Sequence, residues 1–202
     1  MIKLKNVTKE LKGKSVLSNI NMELNAGECV AVVGHNGCGK TMLLRMICGL
    51  IKPDSGEVIT DDYRYGVIIE NPSFFQNETA MYNLQYLASI NKLIGRESIE
   101  NVLKEYNLYH VRNKKVKTFS LGMKQRLALC QAFMENPDVL LLDEPFNAID
   151  DKNLQITYDN IRRSKEAGKI IVIATHGIIP KECSVDRVIK MNEGEIVGVE
   201  GL

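Results

Sequence analysis

The chain lacks both a strong net charge and a long hydrophobic run. Lysine and arginine number 26 and aspartate and glutamate number 25, so the formal net charge is +1. A charge this small creates no field that would draw the chain to nucleic acid, and we expect no nucleic-acid partner. No apolar stretch approaches the ~18 residues that a membrane-spanning helix needs. We therefore expect a soluble chain, for which any role at a membrane requires a partner.

Cysteine is present but lacks the pattern of a disulfide framework. The set is odd in number, scattered and without a C-x-x-C pair: Cys29, Cys38, Cys48, Cys130 and Cys183. Such a set favours a reducing, cytoplasmic compartment. Residues 1–7 alternate between apolar and polar side chains as a strand does, which differs from the apolar core of a signal peptide.

The order of apolar patterns along the chain predicts an α/β fold interrupted by helices. The N-terminal third contains predicted strands at 2–8, 16–24, 29–33, 57–60 and 66–69. The middle contains amphipathic helices, two of them capped by Thr79 and Ser98 and another that follows Leu121. The last third contains the apolar strands 139–142 and 170–174, a helix at 151–167 with Gly168 as its C-cap, and an antiparallel pair at 185–190 and 195–199. The prediction is an α/β core with a helical insertion from roughly residue 75 to residue 136.

One octapeptide matches the phosphate-binding pattern G-x-x-x-x-G-K-[ST]: Gly34-His35-Asn36-Gly37-Cys38-Gly39-Lys40-Thr41. A buried strand, 29–33, precedes it, and a helix, 42–48, follows it and ends at Gly49. A strand, a glycine-rich loop and a helix N-terminus together aim backbone N–H groups at a polyphosphate. In this setting we expect Lys40 to place a cation at the β- and γ-phosphates and the Thr41 hydroxyl to ligate Mg²⁺. A glycine-rich turn that arose by chance is the alternative, and the flanking strand and helix argue against it.

Two carboxylates follow the apolar strand 139–142, at the strand end where open α/β sheets bind ligands. Asp143 is a candidate Mg²⁺ ligand, and Glu144 is a candidate general base that polarises an attacking water. His176 follows the next apolar strand, where a neutral imidazole would reach the γ-phosphate and orient both the water and Glu144. The alternatives are that the carboxylates only cap a turn and that the histidine is structural or solvated. The presence of the phosphate loop favours the catalytic interpretation of all three.

Four further segments resemble motifs of the ATP-binding-cassette (ABC) ATPases. Residues 119–127 resemble the signature motif of that family, and residues 146–150 resemble its D-loop. Thr175-His176 resembles its switch histidine, and Glu70-Asn71-Pro72 resembles its Q-loop. The resemblance covers essentially the whole chain, in the order and spacing of the family. The alternative for 119–127 is an ordinary helix start with Ser120 as its N-cap.

The resemblance implies the ABC ATPase fold. This fold has a P-loop NTPase core with a parallel sheet, an N-terminal antiparallel β-subdomain and an inserted α-helical subdomain. A single domain would span residues 1–202. Within it, residues 1–75 and 137–202 would form the RecA-like core and the β-subdomain, and residues 76–136 would form the helical subdomain that carries the signature motif.

The resemblance also implies a complete site for ATP and Mg²⁺. The expected catalytic residues are Glu144, His176 and Lys40, and the expected metal ligands are Thr41, Asp143 and Glu70. The expected ATP-binding residues are those of the phosphate loop, Gly34, His35, Asn36, Gly37, Cys38, Gly39, Lys40 and Thr41, together with Met42, Leu11, Ser120, Gly122 and Asp150. Ser120 and Gly122 lie at a predicted helix N-terminus, which favours an anion, and in the family they cover the nucleotide of a second subunit.

Four positions depart from the family pattern. Leu121 stands where the signature motif usually has glycine, and Met123 stands where glutamine is usual. These variants resemble those of bacterial exporters of drugs and antimicrobial peptides. Glu70 replaces the usual glutamine, which keeps an oxygen ligand but adds a negative charge. Leu11 replaces an aromatic residue that stacks on adenine in many members, and since such stacking is worth roughly 1–3 kcal/mol in nucleic-acid settings, we expect weaker binding of the base.

The resemblance therefore implies the ATP-hydrolysing subunit of an exporter. Two copies, or this chain and a paralogue, would close head-to-tail around ATP, and hydrolysis would reopen the pair. A cytoplasmic helix of a separate transmembrane permease would dock near residues 72–86, against Phe74 or Phe75, and would hold the chain on the inner face of the membrane. The alternatives are a soluble ATPase without a membrane partner and a nucleotide-dependent scaffold with little hydrolysis.

Overall fold

The computed structural model describes residues 1–70, 73–177 and 179–201, which form two sheets and several helices. The strands are β1 (Ile2–Leu11), β2 (Lys14–Leu24), β3 (Cys29–Val33), β4 (Ser55–Thr60), β5 (Tyr65–Ile68), β6 (Val139–Asp143), β7 (Ile170–Thr175), β8 (Arg187–Asn192) and β9 (Glu195–Gly201). The helices are α1 (Lys40–Ile47), α2 (Ala80–Asn91), α3 (Arg96–Glu105), α4 (Leu121–Phe133) and α5 (Asp151–Glu166). Short 3-10 helices lie at Tyr109–Val111, Val116–Thr118 and Lys181–Cys183. Within these ranges, no helix combines the length and the apolar character needed to cross a bilayer.

The central sheet carries the edge at which the site is built. Its described strands lie in the order β5-β6-β7-β3-β8-β9, and all neighbours are parallel except β8 and β9. β6 and β7 are buried along their whole length, which is why their sequences are apolar runs without alternation. The register places Asp143 beside Ala174 and Val33 beside Thr175. The carboxyl ends of β3, β6 and β7 therefore share one edge.

Different elements cover the two faces of the central sheet. One set of alternating side chains, including Leu140 and Leu142, joins the core formed with α2, α3, α4 and α5. The other set, including Val139 and Leu141, packs with α1 and the antiparallel sheet, whose order is β2-β1-β4. The predicted architecture of a parallel core, an N-terminal antiparallel sheet and inserted helices is confirmed.

Local capping signals agree with the structure at two helix ends and differ from it by one residue at a third. The Thr79 side chain accepts a hydrogen bond from the Tyr82 N–H at 3.0 Å, which confirms the predicted N-cap of α2. Ser120 caps α4 in the same way. α5 ends one residue earlier than predicted, with Ala167 as its C-cap, and Gly168 follows at a φ of +81°. A glycine in the left-handed conformation directly after the cap is a common way for a helix to end.

The N-cap predicted at Ser98 is wrong. α3 begins at Arg96, with Gly95 in the cap position, so that Ser98 lies within the first turn. The earlier start places Glu97 near the positive end of the helix dipole and lets Arg96 pair with Glu100 at 2.8 Å. The apolar spacing that predicted this helix does not depend on which of the two starts is used.

Gly66 in β5 leaves no room for a side chain. A Cβ at this position would lie 2.1 Å from the Ala132 carbonyl oxygen and 2.7 Å from the Pro137 ring. We predict that Gly66→Ala lowers the free energy of unfolding by about 1–3 kcal/mol, the usual effect of overpacking a tight core. The matched control is Gly198→Ala in β9, where the nearest atom would be 3.7 Å away and no loss is expected. Equilibrium unfolding in urea measures both, and equal stability of the two variants would contradict the packing around β5.

Candidate nucleotide-binding site

The phosphate loop joins the buried end of β3 to the start of α1 and packs tightly against β8. A Cβ at Gly34 would lie 2.4 Å from the Met191 carbonyl oxygen, so only glycine fits where the chain leaves β3. Gly39 caps α1 with a φ of +109°, a conformation that other residues rarely adopt. The Gly194 N–H donates to the Cys38 carbonyl at 2.9 Å. These contacts hold the loop at the N-terminus of α1, where backbone N–H groups favour an anion.

Lys40, the first residue of α1, folds back over this loop and is only 6% exposed. Its ammonium group donates to the Gly34 carbonyl at 2.7 Å and to the His35 carbonyl at 3.1 Å. Both partners are neutral, and a buried cation is stable only when a negative group lies nearby. The Asp143 carboxyl group lies close enough to Lys40 for the cation to lower its pKa, and a polyphosphate would add further negative charge.

Thr41 and Asp143 meet across the site. The Thr41 hydroxyl donates to Asp143 Oδ2 at 2.6 Å and so connects the start of α1 to the end of β6. Burial raises the pKa of the Asp143 carboxyl group above its ordinary value, and the charge of Glu144 adds to the rise, whereas the Thr41 hydrogen bond opposes it. Carboxylate and hydroxyl oxygens are hard ligands of the kind that Mg²⁺ requires. This donor set therefore fits the predicted metal.

Glu144 is held by the residues at the end of β7. Its Oε1 accepts hydrogen bonds from the His176 N–H at 3.0 Å and from His176 Nδ1–H at 2.5 Å. Its Oε2 accepts one from the Thr175 hydroxyl at 3.3 Å. The Glu144 backbone has a φ of +48°, which is uncommon outside glycine, and such strain often occurs at functional sites. The structure thus brings the predicted base and the predicted histidine into direct contact.

Glu70 pairs with a cation on α1. Its carboxylate lies 2.9 Å from the guanidinium of Arg45, which neutralises its added negative charge within the chain. Its backbone has a φ of +58°, and its backbone N–H lowers the pKa of the Asp143 carboxyl group, against the larger effect of burial. Glu70 therefore supports the predicted metal ligand through its backbone, while its side chain faces Arg45. Asn71 and Pro72, the other two residues of the predicted Q-loop, lie outside the described residues.

The site residues line a cavity of about 320 Å³ at this edge of the sheet. Its lining comes from the phosphate loop, α1, the carboxylates and β2: Asn36, Gly37, Gly39, Lys40, Thr41, Met42, Glu70, Asp143, Glu144 and Val16. The sequence does not predict Val16, because only the folded hairpin brings β2 over the loop. Leu11, the expected base-stacking residue, lies at the end of β1, is 42% exposed and is not part of the lining found among the described residues.

The predicted signature segment starts α4 beside the predicted D-loop of the same chain. A Cβ at Gly122 would lie 2.4 Å from the Ala148 carbonyl oxygen, so the helix packs directly on that loop. Gln125 Nε2 donates to the Glu144 carbonyl at 3.3 Å, a contact that the sequence does not predict. In the described part of the chain, neither Ser120 nor Gly122 lines the phosphate cavity. The structure brings α4 to the backbone of the loop that follows β6 without placing these two residues at the phosphate loop of their own chain.

Two other predicted binding residues have local partners. Asp150 is the N-cap of α5, and its hydrogen bonds from the backbone and side chain of Asn153 hold its pKa below the ordinary value. His35 Nδ1–H donates to the Asn36 carbonyl at 2.9 Å, and its Nε2 lies 3.1 Å from Asn192 Oδ1. Their contacts with ATP stay predictions.

A strand, a glycine loop, a buried lysine and a hydroxyl–carboxylate pair define a P-loop nucleotide-binding protein. A family model described as ABC transporter matches residues 17–147. The chain is 37% identical over 206 residues to the uncharacterized ABC transporter ATP-binding protein YybJ of Bacillus subtilis, across 97% of this chain and 94% of the relative. It is 31% identical over 205 residues to the lantibiotic transport ATP-binding protein SrtF of Streptococcus pyogenes, across 98% of this chain and 89% of the relative.

Solved structures agree with this assignment. The dimeric structure of MJ0796, a bacterial ABC transporter cassette, superposes with a TM-score of 0.89 at 31% identity, across 100% of this chain and 99% of that chain. The chain therefore belongs to the ABC transporter family, as an ATP-binding subunit.

The burial of Asp143 predicts the direction in which the stability of the chain changes with pH. Its raised pKa means that the folded chain binds this proton more tightly than the unfolded chain, so stability falls as pH rises above the ordinary value of 3.8. We predict that Asp143→Asn raises the Tm at neutral pH in buffer without metal or nucleotide. The gain should shrink as the pH falls toward 3.8, where the wild-type carboxyl group is also uncharged.

The matched control is Asp138→Asn, just before the same strand. Hydrogen bonds from Arg64 hold the pKa of Asp138 below its ordinary value, so this carboxylate stabilises the fold above that value and loses its effect in acid. Asp138→Asn should therefore lower the Tm at neutral pH. Circular-dichroism melts compare the two variants, and a decrease for both would show that burial does not dominate the surroundings of Asp143.

Proposed function

We propose that this chain is the ATPase of an exporter, which hydrolyses ATP with Mg²⁺ to drive a separate membrane permease. The observation that carries the proposal is the meeting of two side-chain pairs at one sheet edge. Thr41 with Asp143 suits a metal bound to phosphate, and Glu144 with His176 suits the activation of water. A protein that only bound nucleotide would need the first pair and not the second.

Thr41 and Asp143 would hold Mg²⁺, with Glu70 as a further candidate ligand. When bound, the ion neutralises charge on the β- and γ-phosphate oxygens. Lys40 binds the same phosphates. Its partners in the structure are two neutral carbonyls, and a phosphate oxygen forms a stronger, charge-assisted hydrogen bond with an ammonium group.

Glu144 accepts the proton of the attacking water. Two N–H donors of His176 engage Oε1, whereas among the described residues Oε2 receives only the longer bond from Thr175. Oε2 is therefore the better-placed proton acceptor. His176 keeps the carboxylate in position, and contact with the γ-phosphate is its second predicted role.

The active unit is a head-to-tail dimer of this chain or of this chain with a paralogous ATPase. Ser120 and Gly122 lie at the N-terminus of α4, where backbone amides favour an anion. In the head-to-tail dimer, Ser120 and Gly122 would face the phosphate cavity of the second subunit, and its nucleotide would be that anion. The dimeric MJ0796 structure supports this assembly. Asp150, the last residue of the predicted D-loop, would lie near the same interface.

Export through a permease is supported by the name of one relative and by one exposed aromatic residue. SrtF is named for lantibiotic transport. Of the two aromatic residues expected to contact a permease, Phe74 is 7% exposed and belongs to the core, whereas Phe75 is 50% exposed. The permease would hold this chain at the cytoplasmic face of the membrane.

One domain spans residues 1–202 in this proposal. α2, α3 and α4 all lie between β5 and β6, which supports a helical subdomain over residues 76–136. Residues 1–75 and 137–202 would then form the RecA-like core and the β-subdomain.

Glu144→Gln removes the proton acceptor while keeping the size of the side chain. We predict that ATP turnover falls at least about 100-fold, the usual scale of general-base catalysis. Because ATP then persists, the variant should dimerise with Mg·ATP and stay monomeric with Mg·ADP or without nucleotide. Light scattering after size-exclusion chromatography measures the mass in each state, and exposed Glu97→Gln on α3 serves as the control.

Three results would contradict parts of this proposal. ATP-dependent dimers without turnover by the wild-type chain, even with membranes, would indicate a nucleotide-dependent scaffold. Turnover that no membrane fraction stimulates would favour a soluble ATPase. A monomer in all three conditions, with ATP binding shown separately, would exclude self-pairing and point to a paralogue or the permease as the obligatory partner.

If each ATP site is built from residues of both subunits, two inactive variants should restore activity when they are mixed. Lys40→Ala lacks the phosphate-binding ammonium group, and Ser120→Asn lacks the hydroxyl but keeps a side chain that caps helices well. A mixed dimer would then contain one intact site. An equimolar mixture should recover up to about a quarter of the wild-type rate, because half of randomly paired dimers are mixed. A rate no higher than that of either variant alone would place Ser120 and Lys40 in the same chain's site.

A further inference from the structure

A second cavity, which we call the α5 cavity, lies between α5 and the inserted helices. Its volume is about 430 Å³, within the roughly 300–1,000 Å³ usual for small-ligand sites. Its walls come from α3, from the end of α4 with the residues that follow it, and from the second half of α5 with the turn to β7. The lining includes Val102, Glu105, Phe133, Asn160, Ser164 and Lys169. In the described part of the chain, it shares no residue with the lining of the phosphate cavity.

A row of buried polar side chains on α5 leads to this cavity. The face of a helix that packs on a core is normally apolar. On α5, positions that are three or four residues apart are instead polar and buried: Asn153, Thr157, Asn160 and Ser164. Asn153 bonds to the N-cap of the helix, and the Thr157 hydroxyl donates to the Asn153 carbonyl at 2.9 Å. Asn160 Nδ2 donates to the Tyr106 hydroxyl at 3.0 Å, so the first three members of the row have partners inside the protein.

Ser164, the last member of that row, differs from the others. It is 7% exposed and lines the α5 cavity, and over residues 1–70, 73–177 and 179–201 no group forms a hydrogen bond with its hydroxyl. Buried polar groups in native proteins are nearly always hydrogen-bonded, so an exception points to a partner outside the chain, either water or a ligand. This hydroxyl is therefore available to donate to a molecule in the cavity.

Lys169 places a cation in the same cavity. Its backbone N–H donates to the Ser164 carbonyl at 3.1 Å, so the two residues are adjacent. Its ammonium group donates to the neutral Oδ1 of Asn136, and within the described ranges it forms no ion pair with a carboxylate. Partial burial lowers the pKa of the Lys169 amine, and the charge of Asp138 opposes the fall, although Asp138 is itself paired with Arg64 at 3.1 Å. A partly buried ammonium group with a neutral partner favours an anion in the cavity.

Other charges of the lining are paired, and one wall is apolar. Arg163 lies 2.6 Å from Glu105, so these two charges neutralise each other. Counting Arg163 and Lys169 as +2 and Glu105 as −1, the lining has a net charge of +1. Apolar side chains form one wall of the cavity: Val102, Phe133 and Met134. The described lining thus offers a cation without a carboxylate partner, a free hydroxyl and an apolar surface.

We propose that the α5 cavity binds a small carboxylate with an aliphatic or aromatic body. The carboxylate would accept hydrogen bonds from the Lys169 ammonium group and the Ser164 hydroxyl, and the hydrocarbon body would cover the apolar wall. Hydrogen bonds to ionised groups are the strong ones, so the acid end sets the orientation. Inorganic phosphate would match the charge but leave the wall uncovered, and an apolar alcohol would leave the cation without an anion. This site is separate from the proposed function and does not require that the chain hydrolyse ATP.

Isothermal titration calorimetry with the full chain tests the class of ligand. The probes are octanoate and 4-phenylbutyrate, compared with octanol, octylammonium and inorganic phosphate. Saturating Mg·ADP is present throughout, so that no probe binds at the phosphate loop. At neutral pH, at least one acid should bind at least about tenfold more tightly than each comparison probe, because only the acids combine a negative charge with an apolar body. Failure of both acids to bind, or equal affinity for any comparison probe, would overturn the proposal.

Variants of the lining locate the bound acid. Lys169→Gln should weaken its binding at least about tenfold and Ser164→Ala about threefold or more, because each removes a hydrogen bond to the carboxylate. Ala167→Phe places a large side chain in the cavity and should also weaken binding at least about tenfold. Lys181→Gln removes an exposed lysine outside the lining and should leave the affinity unchanged.

Two results from these variants would overturn the proposal. Equal losses for Lys169→Gln and Lys181→Gln would show a general effect of charge. Unchanged affinity in both Lys169→Gln and Ala167→Phe would place the acid elsewhere on the chain. Circular dichroism confirms that each variant is folded, and the comparison of probes on the wild-type chain tests the proposal even where a substitution prevents folding.

Discussion

The parallel register of β3, β6 and β7 is the constraint on which the rest of the structure depends. Both faces of these strands are buried, with Leu140 and Leu142 in one core and Val139 and Leu141 in the other. A slip of β6 by one residue would exchange the two sets, so packing fixes the register strongly. The same register places the end of β6 beside the end of β7, where Glu144 meets His176. Core packing thus sets the distance between the groups that the proposed chemistry requires.

The features that the sequence predicts well are those encoded by neighbouring residues. The phosphate loop depends on its own glycines and on the strand and helix that flank it, and Thr79 caps α2 through a contact three residues away. Apolar runs predicted β6 and β7, because strands buried on both faces need no alternation. The start of α3 is harder to predict, because the spacing of its apolar residues is compatible with a start at Arg96 and with an N-cap at Ser98. The pairing of Arg96 with Glu100 favours the earlier start.

The features that the sequence does not predict are contacts between distant segments. Val16 reaches the phosphate cavity only because β2 folds over the loop. Glu70 changes the charge of a predicted metal site, yet no local pattern shows that Arg45 on α1 neutralises it. Gln125 binds the Glu144 carbonyl across nineteen positions of the chain. Each of these residues is ordinary in its own segment, and its role arises from the tertiary structure.

Gln125 and Gly122 give α4 two direct contacts with the loop that contains the proposed base. Gln125 donates to the Glu144 carbonyl, and Gly122 packs on the Ala148 carbonyl oxygen with no space for a methyl group. Any shift of α4 must therefore move that loop or break these contacts. α2 shares the buried core of α4, so the two helices form one packed unit.

An anion bound at the N-terminus of α4 would act on that packed unit. A second subunit's nucleotide would thus bear on the position of Glu144. Contiguous packing alone does not couple two ligands, because each must also favour the same arrangement of the connecting element. Strain in the loop that contains Glu144 gives a physical reason for a second, relaxed arrangement of that loop, since the φ values of Glu144 and Ala148 are +48° and +59°. Residues held in this sparsely populated region persist only while their surroundings hold them, so a shift of α4 that loosens either contact would let the loop relax and move the base.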